Sequence, residues 1–275
     1  MTLVAGSVRD ALGAATDALR AAGVESPRLD AELLLAEATG RGRAELVAEG
    51  RAEVSPGDGR LFGEMVRRRL RREPVAYILG RKGFRHIELA VDGRVLIPRP
   101  ETEMLVELAL EARPRRLLDL GTGSGAIALA VADELPECEV TATDTSAGAL
   151  EVARANAERL APAGRVRILE GTIPVGESFD LVLANLPYIA EEDWPTLQPE
   201  LREWEPDAAF RAGPDGLDAY RAVVPRLSGL ASLVGLEVGE GQAGAVGDLL
   251  RDAGFGEIEK RLDLAGIERV VVGRR

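Results

Sequence analysis

The chain has 275 residues, 46% of them apolar and 29% charged, a composition that folds and leaves room for one substantial core plus a smaller second domain. Its 34 basic and 46 acidic residues give a formal charge of −12, and an acidic surface repels the phosphate backbone that dominates nucleic-acid affinity. No apolar run approaches the roughly 20 residues that span a bilayer, and the opening residues lack a basic stretch followed by a long apolar one, so a cytoplasmic protein without membrane contact is expected.

Cysteine and histidine usage narrows the chemistry. Cys138 has no second cysteine for a disulfide, and His86 is the only histidine, so Cys/His metal sites and a Ser/His/Asp triad are disfavoured and no metal is expected. Cys138 reads as a loop residue between a helix and a strand, His86 as an ordinary hairpin side chain.

From the N-terminus, Val8, Leu12, Ala15 and Leu19 recur at helical spacing, and Leu29, Leu33 and Ala36 do so before Thr39-Gly40 offers a stop. A third stripe, Leu61, Met65, Val66 and Leu70, runs up to Glu73-Pro74, where proline disfavours continuation. A helical domain over residues 1–73 is predicted. Arg67, Arg68, Arg69, Arg71 and Arg72 form a basic run near its end, by default a solvated helix face and otherwise a face for RNA or an acidic partner. Residues 74–97 read as short β-prone pieces, with Asp92-Gly93 suited to a tight turn, and so as a connecting β-hairpin.

After Pro98 apolar strands alternate with amphipathic helices, the pattern of a parallel sheet covered on both faces. Strands are predicted at 116–120, 139–143, 166–169, 179–184 and 233–238, with helices near 126–135, 147–160, 216–230 and 242–253. Two last strands, around Ile258 and at 269–272, are separated by a segment too short for a helical crossover and should pair antiparallel. The predicted fold is therefore α/β, a Rossmann-like seven-stranded mixed sheet over residues 98–275.

The strongest local signal is the strand Leu117-Leu118-Asp119-Leu120 running into Gly121-Thr122-Gly123-Ser124-Gly125 and then a helix. Glycines let backbone approach a ligand, and open parallel sheets bind ligands beyond the carboxyl ends of their strands. The spacing DxGxGxG, with an acid ahead of the first glycine, resembles that of S-adenosylmethionine binders and differs from the GxGxxG of dinucleotide sites. Asp119 is a candidate partner for the methionyl amino group, with a helix-capping role as its alternative. Asp144, 19 residues after Gly125, is a candidate for ribose hydroxyls.

The fourth strand ends in Asn185-Leu186-Pro187-Tyr188, at the same sheet edge as the glycines. The tetrapeptide resembles the [DNS]PPY motif of methyltransferases acting on planar amide or amino nitrogens, with Leu186 where many carry proline. An amide nitrogen is a poor nucleophile, and holding both its N–H groups on fixed acceptors favours attack. Asn185 Oδ1 and the Leu186 carbonyl are the candidate acceptors, Pro187 fixes the turn and Tyr188 packs beside the acceptor group. An ordinary strand-ending turn with a packed tyrosine is the alternative.

Over nearly its whole length the chain is similar to the PrmC/HemK family of protein-(glutamine-N5) methyltransferases. The likeness rests on Arg72-Glu73-Pro74-Val75-Ala76-Tyr77-Ile78-Leu79-Gly80, Phe84, Leu96-Ile97-Pro98-Arg99-Pro100-Glu101-Thr102-Glu103, the glycine turn, and Asn185 to Ile189. It extends through Glu205-Pro206, Gly213 to Gly216, Tyr220-Arg221, Glu237-Val238-Gly239, Gln242, Asp263-Leu264-Ala265-Gly266 and Arg269-Val270-Val271. The resemblance implies a class I S-adenosylmethionine methyltransferase domain behind a small helical domain that grips the substrate. It also implies S-adenosyl-L-methionine as cofactor, S-adenosyl-L-homocysteine as product, and the glutamine of a Gly-Gly-Gln loop in peptide chain release factors as acceptor. A monomer is expected.

The cofactor-binding set so implied is Asp119, Gly121, Thr122, Gly123, Ser124, Gly125, Asp144, Ile173 and Asn185. The catalytic set is Asn185, Leu186, Pro187 and Tyr188. Relatives often carry an acid and an aromatic near the adenine, where this chain has Glu170-Gly171-Thr172-Ile173. A glutamine of a ribosomal protein, or an adenine in RNA or DNA, is the alternative acceptor, and a non-catalytic binding module is the alternative class.

Overall fold

The computed structural model describes residues 6–161 and 164–275. Of the opening residues 1–10, on which the expectation of an absent leader rests, residues 1–5 lie outside them. The chain divides into two compact units, residues 1–80 and 81–275.

The first unit is helical, with α1 (Val8–Ala21), α2 (Pro27–Thr39), α3 (Arg43–Ala48), α4 (Pro56–Leu70) and α5 (Val75–Leu79). Ser7 starts α1 by a reciprocal cap with Asp10, and the predicted stripe Val8, Leu12, Ala15 and Leu19 is its buried face. Gly40, at φ 67°, ends α2 where the sequence placed its stop. Pro74 does not close the helical region: it caps the start of α5, where a missing N–H leaves no hydrogen bond unmade.

The arginine run proves largely structural. Buried Arg69 donates from α4 to Asp30 of α2 at 2.7 Å, Arg68 grips both oxygens of Glu73 at 2.8 and 2.5 Å, and Arg72 donates to the Gly23 carbonyl at 2.9 Å. Those three cations are committed to holding their own domain.

The second unit opens with a two-stranded hairpin, β1 (Arg81–Phe84) and β2 (Ile87–Ala90), antiparallel with Phe84 opposite Ile87. The turn therefore falls on Arg85 and His86, and the predicted turn at Asp92-Gly93 lies beyond the hairpin. Arg85 adopts φ 50° there, held by two contacts to Glu134 at 2.9 and 2.8 Å and by its own N–H on Glu103. Such long-range anchors override local turn preference.

The rest follows the α/β pattern: α6 (Glu103–Ala112), β3 (Arg116–Leu120), α7 (Ala126–Glu134), β4 (Glu139–Asp144), α8 (Ala147–Leu160), β5 (Val166–Glu170) and β6 (Phe179–Ala184). Then come α9 (Pro199–Trp204), α10 (Asp218–Leu227), β7 (Ala231–Glu237), α11 (Ala243–Asp252), β8 (Glu257–Leu262) and β9 (Glu268–Arg274). The seven strands lie in the order β5-β4-β3-β6-β7-β9-β8, with β9 antiparallel to both neighbours and the pairs from β5 to β7 parallel. The mixed seven-stranded sheet is thus as expected.

After β5 the chain returns to the opposite side of β3 to lay down β6. This reversal puts a crevice between the carboxyl ends of β3 and β6, the position where open α/β sheets bind ligands. Both sheet faces are covered, and β7 is packed closely enough that a Cβ on Gly235 would lie 2.5 Å from Leu108 of α6 and 2.9 Å from Leu183.

Among the described residues no helix is long and apolar enough to cross a membrane, and no group of His, Cys, Asp and Glu is arranged to hold a metal. Cys138 is buried just before β4, and burial pushes its thiol up to about 11.

Candidate active site

Gly121, Gly123 and Gly125 adopt φ values of 78°, 55° and 87°, left-handed backbone that carries the chain from β3 into α7 in one tight turn. The turn is pinned to the neighbouring strand β4: the N–H groups of Gly121 and Thr122 donate to the Thr143 carbonyl at 2.8 and 2.9 Å, and that of Gly123 to Asp144 Oδ2 at 2.9 Å. Behind it, fully buried Asn156 of α8 donates to the carbonyls of Ser124 and Ala90, both at 2.9 Å, and accepts from the Ala90 N–H at 2.8 Å. The turn and the hairpin are thereby joined through one amide.

Asp119 lies under the turn with no exposure. Its Oδ2 accepts from the Thr122 hydroxyl at 2.6 Å and from the Ala128 N–H in the first turn of α7 at 3.1 Å, while Oδ1 has no hydrogen-bond partner among the described residues. Burial, reinforced by the nearby Asp144 charge, pushes its carboxyl up to about 7. One oxygen of the carboxylate is thus occupied by the turn and the start of α7.

One strand over, β6 ends at Ala184, in register with Leu120 of β3, and Asn185 follows. A Cβ on Gly121 would meet the Leu186 side chain at 3.3 Å and the Asn185 carbonyl at 3.7 Å, so the two loops are in direct contact. Asn185 Nδ2 donates to the Thr102 hydroxyl at 3.0 Å, and the buried Leu186 side chain joins the core beneath.

A single cavity of about 370 Å³ runs across both loops, within the size range of small-molecule sites. Gly121, Thr122, Gly123 and Ser124 form one wall, Asp144 and Ala149 another, and Asn185, Leu186 and Pro187 a third.

Residues 10–80 match the PrmC N-terminal domain family, and residues 100–198 the methyltransferase small domain family. The release factor glutamine methyltransferase of Caulobacter vibrioides is 43% identical over 270 residues, spanning 94% of this chain and 93% of that protein. That of Bordetella pertussis is 45% identical, over 90% of this chain and 94% of the relative, and that of Moorella thermoacetica 41% identical, over 98% and 99%. The chain belongs to the release factor glutamine methyltransferase family. Among solved structures, the hMettl16 catalytic domain in complex with MAT2A 3'UTR hairpin 6 superposes with a TM-score of 0.56 at 15% identity, covering 68% of this chain and 75% of that one. This likeness concerns the fold, which is that of the class I methyltransferases.

Within the family frame, most of the residues singled out in the sequence converge on the cavity. Gly121, Thr122, Gly123, Ser124, Asp144, Asn185, Leu186 and Pro187 all line it. Gly125 caps α7, where a Cβ would meet the Leu129 side chain at 3.0 Å. Ile173 departs from its expected place beside the cavity: it packs against the core, and Gly171 and Thr172 form the wall there instead. The reason is the turn after β5, where Gly171 at φ 118° redirects the chain before Ile173 is reached.

Tyr188 likewise packs against the core, with its ring edge close to Gly239 and its carbonyl accepting from Gln242 Nε2 at 2.8 Å. Gln242 in turn accepts from the Gly239 N–H at 3.0 Å, and Gly216 leaves room for the Tyr188 carbonyl, since a Cβ there would lie 2.4 Å from it. Burial, with Glu237 nearby, raises the Tyr188 phenol well above its ordinary value and keeps it neutral. Sequence reasoning assigned no role to Thr102 or Glu237, which the fold places beside Asn185. They stood in stretches quoted for resemblance alone, and nothing local marks a threonine or a strand-end glutamate as part of a site.

Proposed function

We propose that the chain transfers the methyl group of S-adenosyl-L-methionine to the side-chain amide nitrogen, N5, of the glutamine in the Gly-Gly-Gln motif of peptide chain release factors. The observation that carries this reading is the continuity of the cavity from the glycine turn to Asn185, which gives a donor and an acceptor one shared space.

The residues present fit the cofactor. Glycines at positive φ open the turn to close approach, Asp144 lines the cavity at the end of β4, and Asp119 Oδ1 is a buried oxygen in need of a donor. Asp119, the sequence-based candidate for the methionyl ammonium, lies beneath the turn and does not itself line the cavity; Asp144 would hold the ribose hydroxyls, while Thr172 lines the wall assigned to the adenine. When bound, S-adenosylmethionine would supply a methyl group carried on a sulfonium, with S-adenosylhomocysteine as the product.

Asn185 Oδ1 takes one N–H of the acceptor amide and the Leu186 carbonyl takes the other, orienting a nitrogen whose lone pair is otherwise delocalised. Because Leu186 contributes its main chain, a leucine serves where many members of the motif carry proline. Its side chain meanwhile packs into the core and against the glycine turn, which holds the loop in place. Pro187 fixes φ at the next position.

The test is incubation with tritiated S-adenosylmethionine and either a purified release factor or RNA. Label in the release factor, abolished when the glutamine of its Gly-Gly-Gln motif is replaced by alanine, is expected. Label found in RNA alone defeats the assignment, and cofactor binding without any turnover supports a non-catalytic module.

A further inference from the structure

The stretch from Arg94 to Thr102 borders the cavity: Arg94, Val95, Leu96, Pro98 and Thr102 all line it. Its two ends are tied to different parts of the site. Arg94 packs over Gly148 of α8, where an added Cβ would lie 3.5 Å from its side chain, and donates to Glu151 at 2.8 Å. Thr102 accepts from Asn185 Nδ2 at 3.0 Å. The stretch thus reaches from the helix that follows Asp144 to the loop that bears Asn185, with Leu96 and Pro98 lining the cavity in between.

Its middle is held by Glu205, the residue between α9 and the short turn Asp207–Ala209. The Glu205 side chain is 2% exposed. One of its oxygens accepts the Ile97 N–H at 2.9 Å, and the other accepts from Arg99 Nη2 at 2.5 Å. These two donors flank Pro98, which has no N–H of its own. On the other side, Glu205 is followed by Pro206, Ala208 and Ala209, which line the cavity as well. One carboxylate therefore joins two stretches of wall about a hundred residues apart, and their backbones run close: a Cβ on Gly93 would lie 3.4 Å from the Trp204 carbonyl.

Neither Glu205, Ile97 nor Arg99 lines the cavity, so the joint lies behind the surface it shapes. The pair of Arg94 with Glu151 is well exposed and contributes little to holding the stretch. Glu205 is different, because its removal strands a buried backbone N–H and takes the carboxylate from Arg99. The acceptor loop has ties of its own: the Ile189 N–H donates to the Phe210 carbonyl at 2.8 Å, and the Ala212 N–H to the Ile189 carbonyl at 3.1 Å.

We infer that Glu205 is a positioning residue for the cofactor. Without touching the ligand, it holds the wall of Leu96 and Pro98 and the wall of Pro206 to Ala209 as one surface, so that S-adenosylmethionine meets a cavity already shaped. The inference rests on the function proposed above.

The test is calorimetric titration of the full chain with S-adenosylhomocysteine. Stoichiometry counts folded molecules and the dissociation constant reports the cavity, so a merely structural residue would lower the first and leave the second unchanged. Glu205→Ala is expected to weaken binding on the order of 10-fold or more, as for the loss of one buried hydrogen-bonding group. KM for the release factor should change little, because Asn185 and Ile189 keep their partners.

Should Glu205→Ala not fold, a cycle with Arg99→Met decides. Glu205→Gln keeps one acceptor and turns an N–H toward the second donor, whereas Arg99→Met leaves a buried carboxylate half-paired. Each alone is expected to weaken binding roughly 3- to 10-fold. Together, the glutamine oxygen serves Ile97 and no cation is left over, so the double variant should bind better than either single one, within about 3-fold of the parent chain. Losses that add in the double variant, or a dissociation constant unchanged in the Glu205 variants, would overturn the role of Glu205 alone. Failure of the parent chain to bind S-adenosylhomocysteine would overturn the functional reading beneath it.

Discussion

Asp144 Oδ2 accepts the Gly123 N–H at 2.9 Å while its Oδ1 accepts that of Ser146 at 2.9 Å, so one carboxylate at the end of β4 holds the middle of the glycine turn and the approach to α8 together. The residue proposed to meet the ribose is thus also a brace for the glycine turn.

Asp144→Ala is accordingly expected to do more than remove one ligand contact. Two backbone donors lose their partner, and affinity for S-adenosylhomocysteine should fall at least about 10-fold, the equivalent of about 1.4 kcal/mol. Calorimetric titration measures this directly. Retention of full affinity would show that the ribose assignment is misplaced.

The two buried acids give the ligand-free protein a particular pH response. Asp119 and Glu237 are both raised by burial to about 7, from ordinary values of 3.8 and 4.5. Between those limits the folded chain binds more protons than the unfolded one, so their contribution to stability is full below about pH 4 and is lost as pH rises toward about 7. Urea unfolding across that window should show stability falling with pH, and Asp119→Asn or Glu237→Gln should flatten the slope. A slope unaffected by either substitution would contradict the burial that the fold imposes on them.

Gly121 carries a positive φ and sits against Leu186. Alanine there should lower stability by roughly 1–2 kcal/mol from the left-handed backbone alone. It should also lower turnover, because the added methyl presses on the loop that bears Asn185. Stability is read by chemical denaturation and turnover by methyl transfer. Alanine at Gly164, also at positive φ but with open space around it, should show the backbone effect without the loss of turnover.

In the helical unit, Asp30→Ala strips the carboxylate from buried Arg69. Breaking a buried pair from one side typically destabilises by about 3–5 kcal/mol, so this unit should unfold at markedly lower denaturant. The change is followed by the loss of helical circular dichroism, and a shift no larger than that of exposed Asp17→Ala would show that the pair contributes little.

How much was readable beforehand depended on the range of the interactions. Strands such as 116–120 and 179–184 were legible because a strand buried on both faces is a continuous apolar run, and the glycine turn because its backbone demands glycine wherever it occurs. The hairpin turn was misplaced because Arg85 is held by Glu134 and Glu103, residues far along the chain, while Asp92-Gly93 offered a local signal that the fold uses otherwise. Pro74 was read as a stop although a proline serves equally well at the start of α5. Of the site, the glycine turn and the segment Asn185 to Pro187 were legible, whereas Asn156 and Thr102 were not, because they act through partners that only the folded chain brings near.

Asn156 shows where such dependence leads. Its amide ties the Ser124 carbonyl of the glycine turn to both backbone groups of Ala90 in the hairpin, so the cradle keeps its shape partly because a small ribbon outside the main sheet keeps its own. Damage to that ribbon would loosen ligand binding while every strand of the large sheet stayed paired. A lesion of this kind would register as weakened cofactor affinity in a molecule that spectroscopy reports as intact.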